Sequence, residues 1–251
     1  MTSYPDPRFA TMGRTATAEA VDQGLRAYML KVYNYMASAL AVTGLVAWFV
    51  AHTPAVFQLL YTVGPRGGVQ PSILGYVVMF APLALVMFLG FKIQSMPVRT
   101  AQTVFWAYAA LVGASLAYIF AIYTSASIAR VFFITAAAFA GLSLYGYTTK
   151  RSLSGMGSFL IMGLIGGLVA MVVNMFLQST VLDLALSAMF LLIFAGLTAY
   201  DTQKIKSMYF ANGNGDLAVA EKTAVMGALT LYLDFLNMFL IMLRFMGNRN
   251  Q

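Results

Sequence analysis

The chain has no cysteine. Disulfides and thiolate metal sites are therefore excluded. Histidine is almost as scarce: His52 is the single one, so no His-rich zinc or haem site can be built. Charge is scarce too, at 9% of the 251 residues, where a soluble domain carries about a quarter. Residues 1–30 lack the apolar core of a cleavable signal and instead carry Pro5, Pro7, Arg8, Arg14, Glu19, Asp22 and Arg26. No P-loop, G-x-S-x-G or H-E-x-x-H motif is present. The glycines from Gly163 to Gly167 sit inside an apolar run, where they cannot cradle phosphate. No internal repeat and no low-complexity stretch is visible. The expectation is a protein that is not an enzyme and holds no tightly bound cofactor.

Apolar residues are what the chain has in excess, at 61%, with 17 Met and 21 Gly. That composition belongs to an integral membrane protein, with the lipid bilayer as its first partner. A spanning helix needs about 20 apolar residues, and seven runs qualify. They are Val32–Ala51, Ile73–Phe91 (with Pro82 inside), Thr103–Tyr123, Ile128–Tyr147, Met156–Leu177, Val181–Tyr200 and Ala224–Leu243. The expected organisation is a polar N-terminal tail over 1–30, a seven-helix domain over 31–247 and a short tail over 248–251. Polar loops are expected from Gly64 to Pro71 and from Thr202 to Lys222, with Asn212–Gly215 at the turn of the second.

The net charge of +7 would suggest nucleic acid in a soluble protein. Here it follows membrane orientation instead, and no nucleic-acid partner is expected. With the N-terminus in the cytoplasm, the inner segments carry Arg8, Arg14, Arg26, Lys31, Lys92, Arg99, Lys150, Arg151, Lys204, Lys206 and Lys222. The outer loops carry Arg66 and Arg130. This is the positive-inside pattern. Arg244 and Arg249 in the tail are the exception if the seventh run spans fully; a re-entrant last run would return them inside. Gly163 and Gly167 form a G-x-x-x-G that permits close helix approach, within the chain or between copies.

Acid at membrane depth is costly and marks a functional site by default. Asp201 closes the sixth run and Asp234 lies inside the seventh. Thr230, Asp234, Asn237 and Arg244 fall at helical spacing on one face, as do Asp183, Ser187, Thr198 and Asp201. Polar stripes on otherwise apolar helices belong inside the bundle. Two carboxylates in a poorly solvated site cannot both ionise cheaply, so the pair is expected to share a proton and act as a pH-sensitive latch. When both ionise they offer hard oxygen ligands to a cation, calcium included. Asp201 can instead be read as a solvated helix end beside Lys204, and Asp234 as a neutral acid hydrogen-bonded in the bundle. Asp183 reads as a solvated or N-terminal charge. Lys92 is either a basic partner of the pair or a lysine reaching for the interface. Asn174 reads as interhelical glue or pore lining.

The strings Tyr200-Asp201-Thr202-Gln203-Lys204-Ile205 and Leu231-Tyr232-Leu233-Asp234-Phe235-Leu236-Asn237, with Leu243-Arg244-Phe245 after them, resemble the C-terminal signature of the Bax-inhibitor (transmembrane Bax inhibitor motif) family. The short tails point to a bacterial member, in the inner (plasma) membrane. The resemblance implies seven helices with the last surrounded by the other six. It implies a pH-sensitive calcium leak whose two latch aspartates fall on Asp201 and Asp234, with calcium as the transported ion. The family latch also uses a basic residue at the cytoplasmic end of the second helix, where Gly90-Phe91-Lys92-Ile93-Gln94 offers Lys92.

A second reading comes from the same resemblance. Bacterial members resemble regulators of a membrane-bound protease and of stress or cell-death responses, which act through a membrane protein partner. A membrane-embedded aspartyl protease is a poor fit, because the Gly-x-Gly-Asp half of such a site is missing.

Overall fold

In lipid, backbone polar groups have no water to pair with, so a spanning chain must be helical or a closed barrel. The computed structural model, which describes residues 7–64, 68–211 and 217–250, is helical. Among the described residues the helices are α1 (Pro7–His52), α2 (Pro54–Leu60), α3 (Ile73–Lys92), α4 (Val98–Leu116), α5 (Ile119–Ile122), α6 (Ser125–Thr148), α7 (Ser154–Leu177), α8 (Thr180–Ala211) and α9 (Leu217–Met246). Seven candidate spans result, by length and apolar character. The chain is an all-α, multi-pass membrane protein.

Helix ends do not follow the apolar runs. α1 begins at Pro7, inside the segment expected as a tail, and Leu25, Tyr28 and Met29 are already buried. The local sequence explains this: Ala, Glu, Gln, Leu and Arg are all good helix formers. The stretch expected as a loop from Thr202 to Lys222 is also helical through Ala211 and again from Leu217. Its lysines and Glu221 are polar but helix-compatible, so α8 and α9 continue past the apolar core. The turn at Asn212–Gly215 and the Arg66 position lie outside the described residues. Between α1 and α3, Pro54 opens α2, and Tyr61–Val63 (β1) pairs antiparallel with Val69–Pro71 (β2). Ser72 then caps α3, accepting from the Gly75 amide at 3.0 Å, and α3 runs on through Pro82.

α9 is the most buried span: 61% of its apolar window is buried, against 39% or less in the others. Four helices flank it, α1, α4, α6 and α8, while α3 packs on α4 and α7 on α8. An arrangement with all six others around it is thus reduced to four neighbours and two outer helices. Burying apolar side chains from lipid gains little, so close approach and contact do the work. Gly113 sits where a Cβ would lie 2.6 Å from the Thr43 carbonyl oxygen, and Gly146 where one would lie 2.2 Å from that of Ala199. Gly163 and Gly167 both face α8, against Ile193 and against Met189 and Phe190. The G-x-x-x-G therefore packs within the chain.

The α3–α4, α6–α7 and α8–α9 connections share one end of the bundle, here called the basic end because Lys92, Arg99, Lys150, Arg151, Lys204, Lys206 and Lys222 lie there. The C-terminal residues meet the α5–α6 turn at the other end. There Thr124 N donates to Asn248 O at 3.0 Å, Asn250 N donates to Ile122 O at 2.9 Å, and Tyr123 bridges Arg249. The seventh run thus crosses fully and is not re-entrant.

Candidate functional site

The two polar stripes face each other. α8 and α9 pack along their length, and contacts at both ends of the interface join residues of the predicted faces. Towards the basic end, Asp201 and Asp234 are neighbours across the α8–α9 interface, close enough to interact. Asp234 is 4% exposed and Asp201 8%. Asp201 is therefore not a solvated helix end. α8 continues beyond it to Ala211, and the exposed Lys204 lies one turn on. Asp234 Oδ2 is buried with no protein hydrogen-bond partner. A buried carboxyl oxygen in that state is costly as an anion.

Hydroxyl groups fix the backbone beside the pair. Thr202, fully buried, donates to Thr198 O at 2.7 Å and meets Ser143 Oγ of α6 at 2.9 Å. Ser143 Oγ in turn lies 2.6 Å from Tyr33 Oη of α1. Three helices are thus tied at the level of Asp201. Past Asp201, Gln203 accepts from Leu153 N and donates to Arg151 O, both at 2.8 Å, and Lys206 Nζ donates to Tyr147 O at 2.8 Å. These bonds hold the α6–α7 connection onto α8. On α9, the fully buried Tyr232 meets Thr43 Oγ1 at 2.7 Å, and that hydroxyl also lies 2.9 Å from Ala109 O. α9 is thereby pinned to α1 and α4 on the side away from α8.

At the opposite end Arg244 of α9 pairs with Asp183 of α8 and donates to Ser187 Oγ at 3.0 Å. Asp183 is therefore paired, not simply a solvated or helix-end charge. Between the two ends Thr198 Oγ1 lies 3.5 Å from Met238 Sδ. The interface is polar at its ends and apolar between them.

The other expected site residues do not join the pair. Lys92 is exposed at the end of α3. Among the described residues the ion pairs are Lys31–Glu221 and Arg244–Asp183, neither of which includes it. Asn174 Oδ1 accepts from Ser179 N at 3.1 Å in the α7–α8 turn, where Gln178 adopts a φ of 52°. Asn237 stays on the half-buried side of α9 and donates to Leu233 O at 2.8 Å. Sequence reasoning missed Tyr33, Ser143 and Thr202. The adjacency of Thr202 to Asp201 was the one available signal.

Among the described residues no three acidic, His or Cys side chains gather as a metal site. Two carboxylates supply at most about four oxygens, and a resident calcium takes 6–8. The pair does not fit a calcium cage.

Comparison with known proteins adds the lineage. A family model described as inhibitor of apoptosis-promoting Bax1 matches residues 25–251. An uncharacterized protein of Rickettsia prowazekii is 47% identical over 239 residues, covering 95% of this chain and 97% of that one. One from Caulobacter vibrioides is 46% identical over 234 residues, 92% of each. Inner membrane protein YbhL of Escherichia coli is 45% identical over 226 residues, 90% of this chain and 93% of the relative.

Proposed function

The chain belongs to the Bax inhibitor family, and from that premise we propose that it is a passive, pH-sensitive cation leak with calcium as its substrate, gated by Asp201 and Asp234. The observation that carries this reading is the meeting of two buried carboxyl groups between α8 and α9, one with an oxygen that no protein group serves. With one proton shared, the pair carries a single negative charge and holds the helices together. When the pH rises and that proton leaves, two anions face each other where solvent screening is weak. Their repulsion separates α8 from α9 and presents hard oxygens to an entering cation. Low pH therefore closes the path and high pH opens it. The basic end faces the cytoplasm in this reading, with the N-terminus on that side, in a bacterial inner membrane.

Calcium entry into liposomes holding the purified protein, between about pH 5 and 8, tests it. Flux should rise with pH. Asp234→Asn keeps shape but removes the charge, and should abolish flux or most of its pH response. Asp201→Asn should flatten the response and keep some flux. A wild-type flux without pH dependence, or a normal response in the double Asn variant, would remove the gate. Absence of any flux, together with altered turnover of other membrane proteins that Asp234→Asn leaves unaffected, would favour the regulatory reading instead.

A further inference from the structure

α1 and α6 both pack closely against α9 but only sparsely against each other, where Tyr33 Oη meets Ser143 Oγ. The space between them is a groove that opens toward lipid, with α9 as part of its floor. Near the basic end it widens into a cavity of about 520 Å³, whose polar lining comes from Arg26, Tyr33, Ser143 and Tyr147. Past Tyr33 and Phe139 it continues into a second cavity of about 690 Å³, lined by apolar side chains down to Leu45, with Phe235 of α9 in its wall. Leu30 on one rim and Leu144 on the other are exposed. The groove is therefore amphipathic along its length, polar at one end and apolar beyond.

The polar end is also the positive end. Arg26 is exposed at the cavity mouth. Lys206 lies 5.0 Å from the centre of the Tyr147 ring that helps line the cavity. Lys150 and Arg151 follow α6 directly. Among the described side chains of α1 the acid near Arg26 is Asp22, one turn before it, and no ion pair joins the two. A basic pocket between membrane helices at this level recognises anionic lipid head groups. A second copy of the chain docking here would bury the Arg26 guanidinium against an apolar helix, which is costly without a partner.

We propose that the α1–α6 groove binds an anionic phospholipid of the leaflet at the basic end, its phosphate at Arg26 and one acyl chain running over Phe139 toward Phe235. The ligand matches both features of the site, a negative head group for the mouth and an unbranched apolar chain for the trough. This goes beyond the leak reading and stands whether or not the protein conducts cations.

Purified full-length protein, titrated in detergent with phosphatidylglycerol or phosphatidylcholine of the same acyl chains and followed by native mass spectrometry, tests the site. Phosphatidylglycerol should be retained in preference to phosphatidylcholine. Arg26→Gln should reduce that preference about five-fold, while Lys92→Gln, at the exposed end of α3 away from the groove, should leave it unchanged. Ala140→Trp, at an exposed position on the α6 wall, should displace both lipids, with thermal unfolding confirming that the variant is folded. The Arg26 result stands independently of that variant. Four outcomes would overturn the site: equal retention of the two lipids, an equal effect of Lys92→Gln and Arg26→Gln, displacement of the lipid by glycerol phosphate alone, or a dimer that Ala140→Trp dissociates.

Discussion

Thr202 shows how closely the buried acids are held. Its hydroxyl joins the α8 backbone to Ser143, which meets Tyr33. Thr202→Val keeps the shape and removes the link, and should cost about 0.5–2 kcal/mol, read as a lower melting temperature in detergent. Arg244 and Asp183 are different: their side chains are 47% and 40% exposed, so solvent screening leaves such a pair about 0–1 kcal/mol. Asp183→Asn should therefore change the melting temperature by no more than a degree or two, and a double-mutant cycle with Arg244→Gln should show weak coupling. Asp201 and Asp234 were legible because acid in an apolar run stands out. The Arg244–Asp183 pair was half legible, since both residues lay on the predicted stripes. Tyr33 and Ser143 were not, because a hydroxyl in a membrane helix is commonplace and its partner lies far away in sequence.

Elements are placed by a few polar contacts at their ends. α4 stops at Leu116 and α5 starts at Ile119. At the break, Tyr61, at the start of β1, donates to Ser115 O at 2.8 Å and to Ala114 O at 3.1 Å, which also accepts from Ala117 N at 3.4 Å. Burial pushes the Tyr61 phenol up to about 12, so it remains a donor at any working pH. Tyr61→Phe should destabilise the protein by about 1–3 kcal/mol, and hydrogen exchange should quicken around α5 before it does elsewhere. A uniform change across all helices would count against this local role. The composition of the Pro54–Pro71 stretch signalled a break, but not the α2 helix or the hairpin inside it. Apolar runs report membrane depth, not helix length. α8, at 32 residues, is about 48 Å long, well beyond the roughly 30 Å of hydrocarbon.

For the whole molecule the open variable is its sidedness. The native chain has no cysteine, so single introduced thiols give a clean readout. Ser152→Cys, at the basic end, should be shielded from a membrane-impermeant reagent in intact cells, and Thr62→Cys in the hairpin should react. Both residues are exposed. The reverse pattern would invert the orientation. The deep burial of α9 has a further consequence, for biosynthesis. The helix that α1, α4, α6 and α8 all pack against leaves the ribosome after the other six spans. Until α9 has been made, those four helices wait in the bilayer without their shared partner, and the Tyr123–Arg249 bridge forms only after α9 is in place. A chain interrupted before Leu217 inserts at most six of the seven spans and has no finished interior, which makes synthesis of α9 a condition for stable assembly.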